Sequence, residues 1–246
     1  MSLRAPIMER ALDLPPLYSL TVLREIGDAF AHACTNAREL GAGALIWVGR
    51  HDAAEFAVVL EPEVPLAEAR LALYAGMNSL ADALATHAPP SRPITFDWPD
   101  VILVDGIGVG GGRLGWPEGT CDDEIPDWLV FSAITRTTMT GEETSPHPMH
   151  GALEELGFEA PDPGGIIASF ARHFMSALHQ WSEVGFEPIA ARWLERLPSL
   201  GMEGRLADNG DLIVSKSGND TNERKSLAAA VVAPTWINPA TGRPWL

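Results

Sequence analysis

The order of apolar patterns along the 246-residue chain predicts an α+β fold: a mixed, largely antiparallel sheet packed with helices, plus a small C-terminal β appendix. Two observations carry this expectation. Helical and strand-like stretches run helix, strands, helix, meander, helices, and lack the strand–helix alternation of a doubly wound parallel sheet. The strand-like runs also come in neighbouring pairs joined by short turns, which only antiparallel partners allow. Composition agrees: 46% hydrophobic and 20% charged residues is the balance of a chain able to bury a core without disulfide staples. A composition shift near 198–204 divides the chain into a domain of residues 1–200 and an appendix of residues 201–246.

Residues 5–20 are Pro-rich and read as irregular. From Thr21 to Leu40, Leu23, Ile26, Phe30 and Cys34 recur at helical spacing, and Gly41 and Gly43 stop that helix. Ala44–Val48 and Glu55–Leu60 read as buried strands around a short GRHDAA connection. Pro65 opens a helix that runs through Leu71, Met77, Leu80 and Leu84 and ends at His87-Ala-Pro-Pro. Ile94–Phe96 and Val101–Val104 are strand material. Asp105-Gly106 is the dipeptide of a type I′ hairpin turn, and Val109–Leu114 is its return strand. WLVFSAI, from Trp128, is a further strand, and residues 140–150 are a loop. Gly165–Trp181 and Pro188–Leu197 read as helices. Two short strands near Leu206 and Leu212–Val214, joined by DNGD, and a turn-rich tail complete the chain.

Several function classes are disfavoured by composition. Two cysteines, Cys34 and Cys121, are neither a disulfide framework nor a structural zinc set. The first twenty residues lack the apolar core of a signal peptide, and no run approaches the length of a membrane span. A soluble, reducing, cytoplasmic protein is expected. A formal charge of −16 opposes binding to nucleic acid, whose phosphates need Lys and Arg. The only lysines are Lys216 and Lys225, so Arg supplies the positive charge of residues 1–215.

The stretch DWPDVILVDGIGVGGGRLGWP, Asp97–Pro117, concentrates the functional question. Gly106, Gly108 and Gly111 match G-x-G-x-x-G, but a dinucleotide site needs that motif to open a helix, and Gly112-Arg-Leu-Gly-Trp-Pro does not. Two readings stay open. The hairpin's return strand is glycine-rich because another backbone approaches it. Alternatively, Gly110, Gly111 and Gly112 form the floor of a small-molecule pocket, with Trp98 as a wall and Arg113 as an anion partner. Arg113 has a second candidate role, pairing with Asp97. Arg50 either meets a phosphate or carboxylate or pairs with Asp52 or Glu55. Asp97 and Asp100 flank Trp98-Pro99 and are either turn residues or a carboxylate pair.

Trp98-Pro99-Asp100, the apolar strand, Asp105-Gly106 and the glycine-rich return strand together resemble the biotin and lipoate protein ligase family. There the matching run is Lys-Trp-Pro-Asn-Asp, a strand, a turn and a Gly-containing strand that contacts biotin. Phe56–Ala69 resembles the family's strand and following helix, Gly185-Phe-Glu-Pro-Ile with Trp193 its closing helix, and DNGDLIV the start of its C-terminal barrel-like appendix. The resemblance runs in order over about residues 20–215. It implies a pocket for a small carboxylate, biotin, lipoate or a related acyl group, lined by Trp47, Arg50, Asp97, Trp98, Pro99, Asp100, Gly110, Gly111, Gly112 and Arg113. It implies ATP with Mg as co-substrate, an acyl-adenylate, and a lysine of a biotinyl or lipoyl acceptor domain as partner.

The chain departs from the family pattern at two places. Asp97 stands where the family has its lysine before Trp-Pro, and the Gly/Arg-rich loop is reduced to Gly49-Arg50-His51-Asp52. An acid in place of the lysine repels a substrate carboxylate. A catalytic residue is therefore not assigned, and a non-catalytic binding or regulatory module that kept the pocket is the competing expectation. Cys121 lies among Asp122, Asp123 and Glu124, which blunt a thiol. The pairs His147/His150 and His173/His179 lack metal-site companions. No metal site is expected.

Overall fold

The computed structural model describes residues 12–139, 150–198, 202–216 and 222–238. The irregular segment read up to residue 11, the loop read over 140–149 and the end of the turn-rich tail lie outside these residues.

The chain is α+β. Among the described residues, ten strands and six α-helices follow one another as β1 (Ser19–Leu23), α1 (Ala29–Leu40), β2 (Ala44–Val48), β3 (Ala53–Leu60), α2 (Leu66–Ala69), α3 (Ala72–Ala85), β4 (Ile94–Asp97), β5 (Val101–Val104), β6 (Ile107–Gly115), β7 (Leu129–Arg136), α4 (Pro163–Val184), α5 (Glu187–Glu195), β8 (Met202–Leu206), β9 (Leu212–Lys216), β10 (Asn222–Lys225) and α6 (Leu227–Ala230). A seven-stranded sheet has the order β1-β2-β3-β7-β6-β5-β4, and a three-stranded antiparallel sheet the order β10-β9-β8. In the large sheet every pair is antiparallel except β1 with β2.

β1 corrects the sequence reading, which began a helix at Thr21. Leu23 and Ile26 share helical spacing with Phe30, but the β-branched Thr21 and Val22 suit an extended strand, and Ser19–Leu23 pair in register with Ala44–Val48. The helix starts later, where Asp28 is extended and its carboxylate accepts from the Ala31 amide at 2.9 Å. Ile26 is left 95% exposed in the connection. The strand β10 and the short helix α6 are also absent from the sequence reading: NERK is polar throughout, and LAAA is too short to show a helical period.

Alternation sorts the large sheet into two faces. Leu45, Trp47, Phe56, Val58, Phe131 and Leu114 join α3, α4 and α5 in the main core. Phe56, Phe131, Phe170 and Phe174 pack there, stacked or tilted, at centroid separations of 4.4–5.5 Å. Leu227 and Val231, from α6 and its end, belong to the same core, so the C-terminal segment packs onto the larger body. The opposite face is covered by α1, where Ala29, Ala33 and Ala37 lie on Ile46, Val48, Ala57 and Val130. Beyond α1, that face carries a small separate cluster of Ala53, Val101, Ile134 and Trp236.

The hairpin of β5 and β6 turns at Asp105 and Gly106, both at positive φ (53° and 80°), as a type I′ turn requires. A register shift follows, so that Ile102 faces Gly110 while Leu103 faces Gly108. On its other edge β6 runs hard against β7. A Cβ on Gly110 would lie 1.9 Å from the Ile134 carbonyl oxygen, a backbone atom that cannot turn aside. Gly110→Ala is expected to destabilise the protein by about 2 kcal/mol or more, at the upper part of the range for overpacking. Equilibrium urea unfolding beside the wild type checks this.

Candidate functional site

The three glycines of β6 answer three different neighbours. Gly110 is held by the β7 backbone. Gly111 faces the α1 side of the sheet, where a Cβ would meet the Asp100 carbonyl oxygen and the Trp236 indole nitrogen, each at 2.5 Å. Gly112 faces the main core, 2.7 Å from Met77 Sδ by the same measure. The Gly112 amide donates to the Asp100 carbonyl at 2.8 Å, and its own carbonyl accepts from Trp236 Nε1 at 3.2 Å. Of these glycines, Gly111 presents bare backbone to the α1 face.

The Trp98-Pro99 corner splits its side chains between the two sides. Trp98 packs against the main core, and its indole N–H donates to the Tyr74 hydroxyl at 3.2 Å, which donates in turn to the Gly210 carbonyl at 2.5 Å. Lys225, from β10, holds its ammonium 5.9 Å from the Trp98 ring centroid. Asp97 is exposed. Asp100 turns inward and is 1% exposed. Neither carboxyl oxygen makes a well-aligned hydrogen bond among the described residues, although its own amide, Thr235 and Trp236 lie near enough to favour the ionised form. Burial outweighs them and pushes the carboxyl up to about 7, with repulsion from Asp97 adding to the shift.

A polar belt crosses the same face at the start of α1. Arg50 grips Asp52 through two bonds of 2.7 Å and reaches Glu55 at 3.3 Å. Glu55 is buried and accepts from the first amide of α1, that of Ala29, at 3.2 Å. Burial raises the Glu55 carboxyl above its usual range despite these partners, while Arg50 holds the Asp52 carboxyl below it. Arg113 lies alongside, 11% exposed, with its guanidinium 4.0 Å over the Phe30 ring and 3.4 Å from Asp28. Its Nε has no hydrogen-bond partner among the described residues, and burial lowers its pKa.

The structure thus brings Arg50, Asp100, Gly111 and Arg113 to one face. Trp47 and Gly112 face the main core and Trp98 packs against it, Gly110 is committed to the strand pairing, Pro99 sits in the corner through a cis peptide bond, and Asp97 is at the surface. Arg50 pairs with both of its candidate carboxylates, and Arg113 pairs with Asp28 instead of Asp97. Sequence reasoning did not find Glu55, Asp28 and Trp236 as site residues. Asp28 carries a helix-cap signal before Ala29. The other two carry none, since their place depends on which strands and tail segments meet. Among the described residues, no group of three or more His, Cys, Asp or Glu side chains is arranged to hold a metal ion. No helix among them is long and apolar enough to cross a membrane.

A seven-stranded mixed sheet with helices on both faces and a small second sheet is the architecture of biotin protein ligases. Residues 14–195 match the model of the biotin/lipoate A/B protein ligase family, and the chain belongs to that family. Among solved structures, it is similar to a biotin protein ligase-like protein of unknown function from Silicibacter sp. TM1040, with TM-score 0.78 and 25% identity over 90% of this chain and 99% of that one. The biotin protein ligase of Aquifex aeolicus shares the fold at TM-score 0.65 and 15% identity, over 85% of this chain and 95% of that one. The Leishmania major enzyme, solved with biotinyl-5-AMP, does so at TM-score 0.54 and 15% identity, over 86% and 99%. No curated protein matches the chain in sequence.

The raised Asp100 carboxyl has a definite consequence for stability. Its folded pKa of about 7 lies above its ordinary 3.8, so the fold disfavours the ionised form. The cost is absent below the ordinary value, grows as pH rises through this window and is constant above it. Asp100→Asn is therefore expected to leave stability at about pH 4 little changed and to raise it at about pH 8 by a few kcal/mol. Urea titrations of both proteins at the two pH values check the sign.

Proposed function

We propose that the protein binds a small carboxylate of the biotin, lipoate or related acyl class on the α1 face, with Arg113 as the anion partner. The observation that carries this reading is Arg113 itself: a mostly buried guanidinium whose Nε lacks a partner among the described residues, on the same strand and face as Gly111, which has no side chain. A buried donor left unpaired costs about 1–3 kcal/mol, and a ligand carboxylate relieves it. The family, and the Aquifex ligase solved with biotin and ATP, supply the ligand class. We include in the proposal a division into a ligase-like domain, 1–200, and an appendix, 201–246, and a reducing cytoplasmic setting in which Cys34 and Cys121 remain free.

On catalysis, the observations favour a non-catalytic binding or regulatory module. Adenylation joins two anions and needs uncommitted cations at the site. Arg50 is already neutralised by Asp52 and Glu55, Asp97 stands at the family's lysine position, and Lys225 lies over Trp98. These residues do not fit a triphosphate with Mg, and no chemical step is assigned through ATP. An acceptor domain carrying a biotinyl or lipoyl lysine is the partner only if that chemistry persists.

Thermal-shift measurements with biotin, lipoate and octanoate, each with and without Mg-ATP, test both statements. An acid at 100 times its Kd is expected to stabilise the fold by about 2.7 kcal/mol, a shift of a few degrees, and Mg-ATP to add nothing. Arg113→Met should abolish the shift. If no acid shifts the wild type, the binding reading fails; pyrophosphate release above a protein-free blank would overturn the non-catalytic one.

A further inference from the structure

The face assigned to the ligand is covered by the protein itself. The Trp236 indole lies directly on Gly111, where a Cβ would come within 2.6 Å of its Nε1 and Cε2 atoms. It is 1% exposed and shares its small cluster with Ala53, Val101 and Ile134, apart from the main core. Its N–H donates to the Gly112 carbonyl at 3.2 Å. Beside it the Asp100 carboxyl is buried, with neither oxygen in a well-aligned hydrogen bond among the described residues.

That combination differs from ordinary core packing, in which buried polar groups are matched. An indole has a single N–H to give, and Trp236 spends it on Gly112. Two acceptors therefore converge on this floor, the Gly112 carbonyl and the Asp100 carboxyl; the indole supplies one donor, and Thr235 beside it lies near the carboxyl without a well-aligned bond. A flat ring bearing two N–H groups matches the floor better than Trp236 does. Since Gly111 has no side chain, such a ring can lie on the backbone where the indole now lies.

We infer that Trp236 is an internal competitor for this floor, and that a ligand ring with paired N–H donors binds by displacing it from Gly111 and donating to Gly112 and Asp100. The inference rests on the reading that this face takes a ligand, and it adds a regulation to it. The C-terminal segment sets the apparent affinity, because the site is competent only in the fraction of molecules whose indole has withdrawn.

Two measurements test it. Biotin, a cyclic urea with two N–H groups, is titrated calorimetrically into the wild type and into Trp236→Gly. Removing the competitor is expected to tighten the Kd by about tenfold or more. An equal Kd in the two proteins overturns the inference. The second measurement needs no ligand and is read on the wild type alone: indole N–H exchange in the full-length protein, with Trp236→Phe used only to assign the Trp236 resonance. Trp193, fully buried in the main core, is the internal reference. Withdrawal of the segment predicts that Trp236 exchanges at least about a hundredfold faster than Trp193, through local opening. Exchange of both only through global unfolding overturns the inference. If biotin binds neither protein while Trp236 exchanges fast, the displaceable indole stands and the carboxylate reading falls.

Discussion

The structure depends on a stretch of β6 that has no side chains. Between Gly110 and Gly112 the strand passes close to the β7 backbone on one flank and the Asp100 carbonyl on the other, with an indole above it and Met77 and Phe131 below. A methyl group at any of the three would displace a different neighbour. This close approach lets the β5–β6 hairpin join the sheet at a shifted register. It also leaves a flat backbone surface on the α1 face, with Asp100 at its edge. The strand pairing and the candidate site therefore rest on the same constraint, which explains why the glycine run reads equally well as a structural feature and as a substrate floor.

The electrostatics of that face follow from an acidic chain that uses Arg for its positive charge. Asp28, Asp52 and Glu55 converge on Arg50 and Arg113 at the start of α1. Glu55 takes the position at the helix N-terminus, beside Arg50, that an incoming anion would want. Its burial is tolerable because a guanidinium and an amide both reach it; removing the guanidinium would leave a buried acid with no charge partner of its own. With Arg50 gripped by two carboxylates, Arg113 is the cation left with donor capacity. On the function proposed above, this arrangement suits one anion better than two.

Much of the fold was legible in the sequence because it depends on local rules. The Asp105-Gly106 turn, the buried runs Ala44–Val48 and Glu55–Leu60, and the long apolar stripe of α4 each announce themselves through backbone preference or periodicity. The error at β1 has a local cause as well: Leu23, Ile26 and Phe30 imitate a helical stripe, and only pairing with β2 reveals the strand. Within the site, the pairing of Arg50 with Asp52 or Glu55 was legible as one alternative because these residues are close along the chain.

What the sequence determined by itself was the fold class and the family, since both are carried by residue types in order along the chain. What only the tertiary structure decided was which face each residue serves and what covers it. Trp47 and Arg50 are three residues apart, yet the former enters the main core while the latter lies in the belt on the opposite face. Trp236 lies 124 residues beyond Gly112 and nevertheless bonds to its carbonyl. No periodicity encodes such meetings, because they arise from the packing of a C-terminal segment against a distant strand.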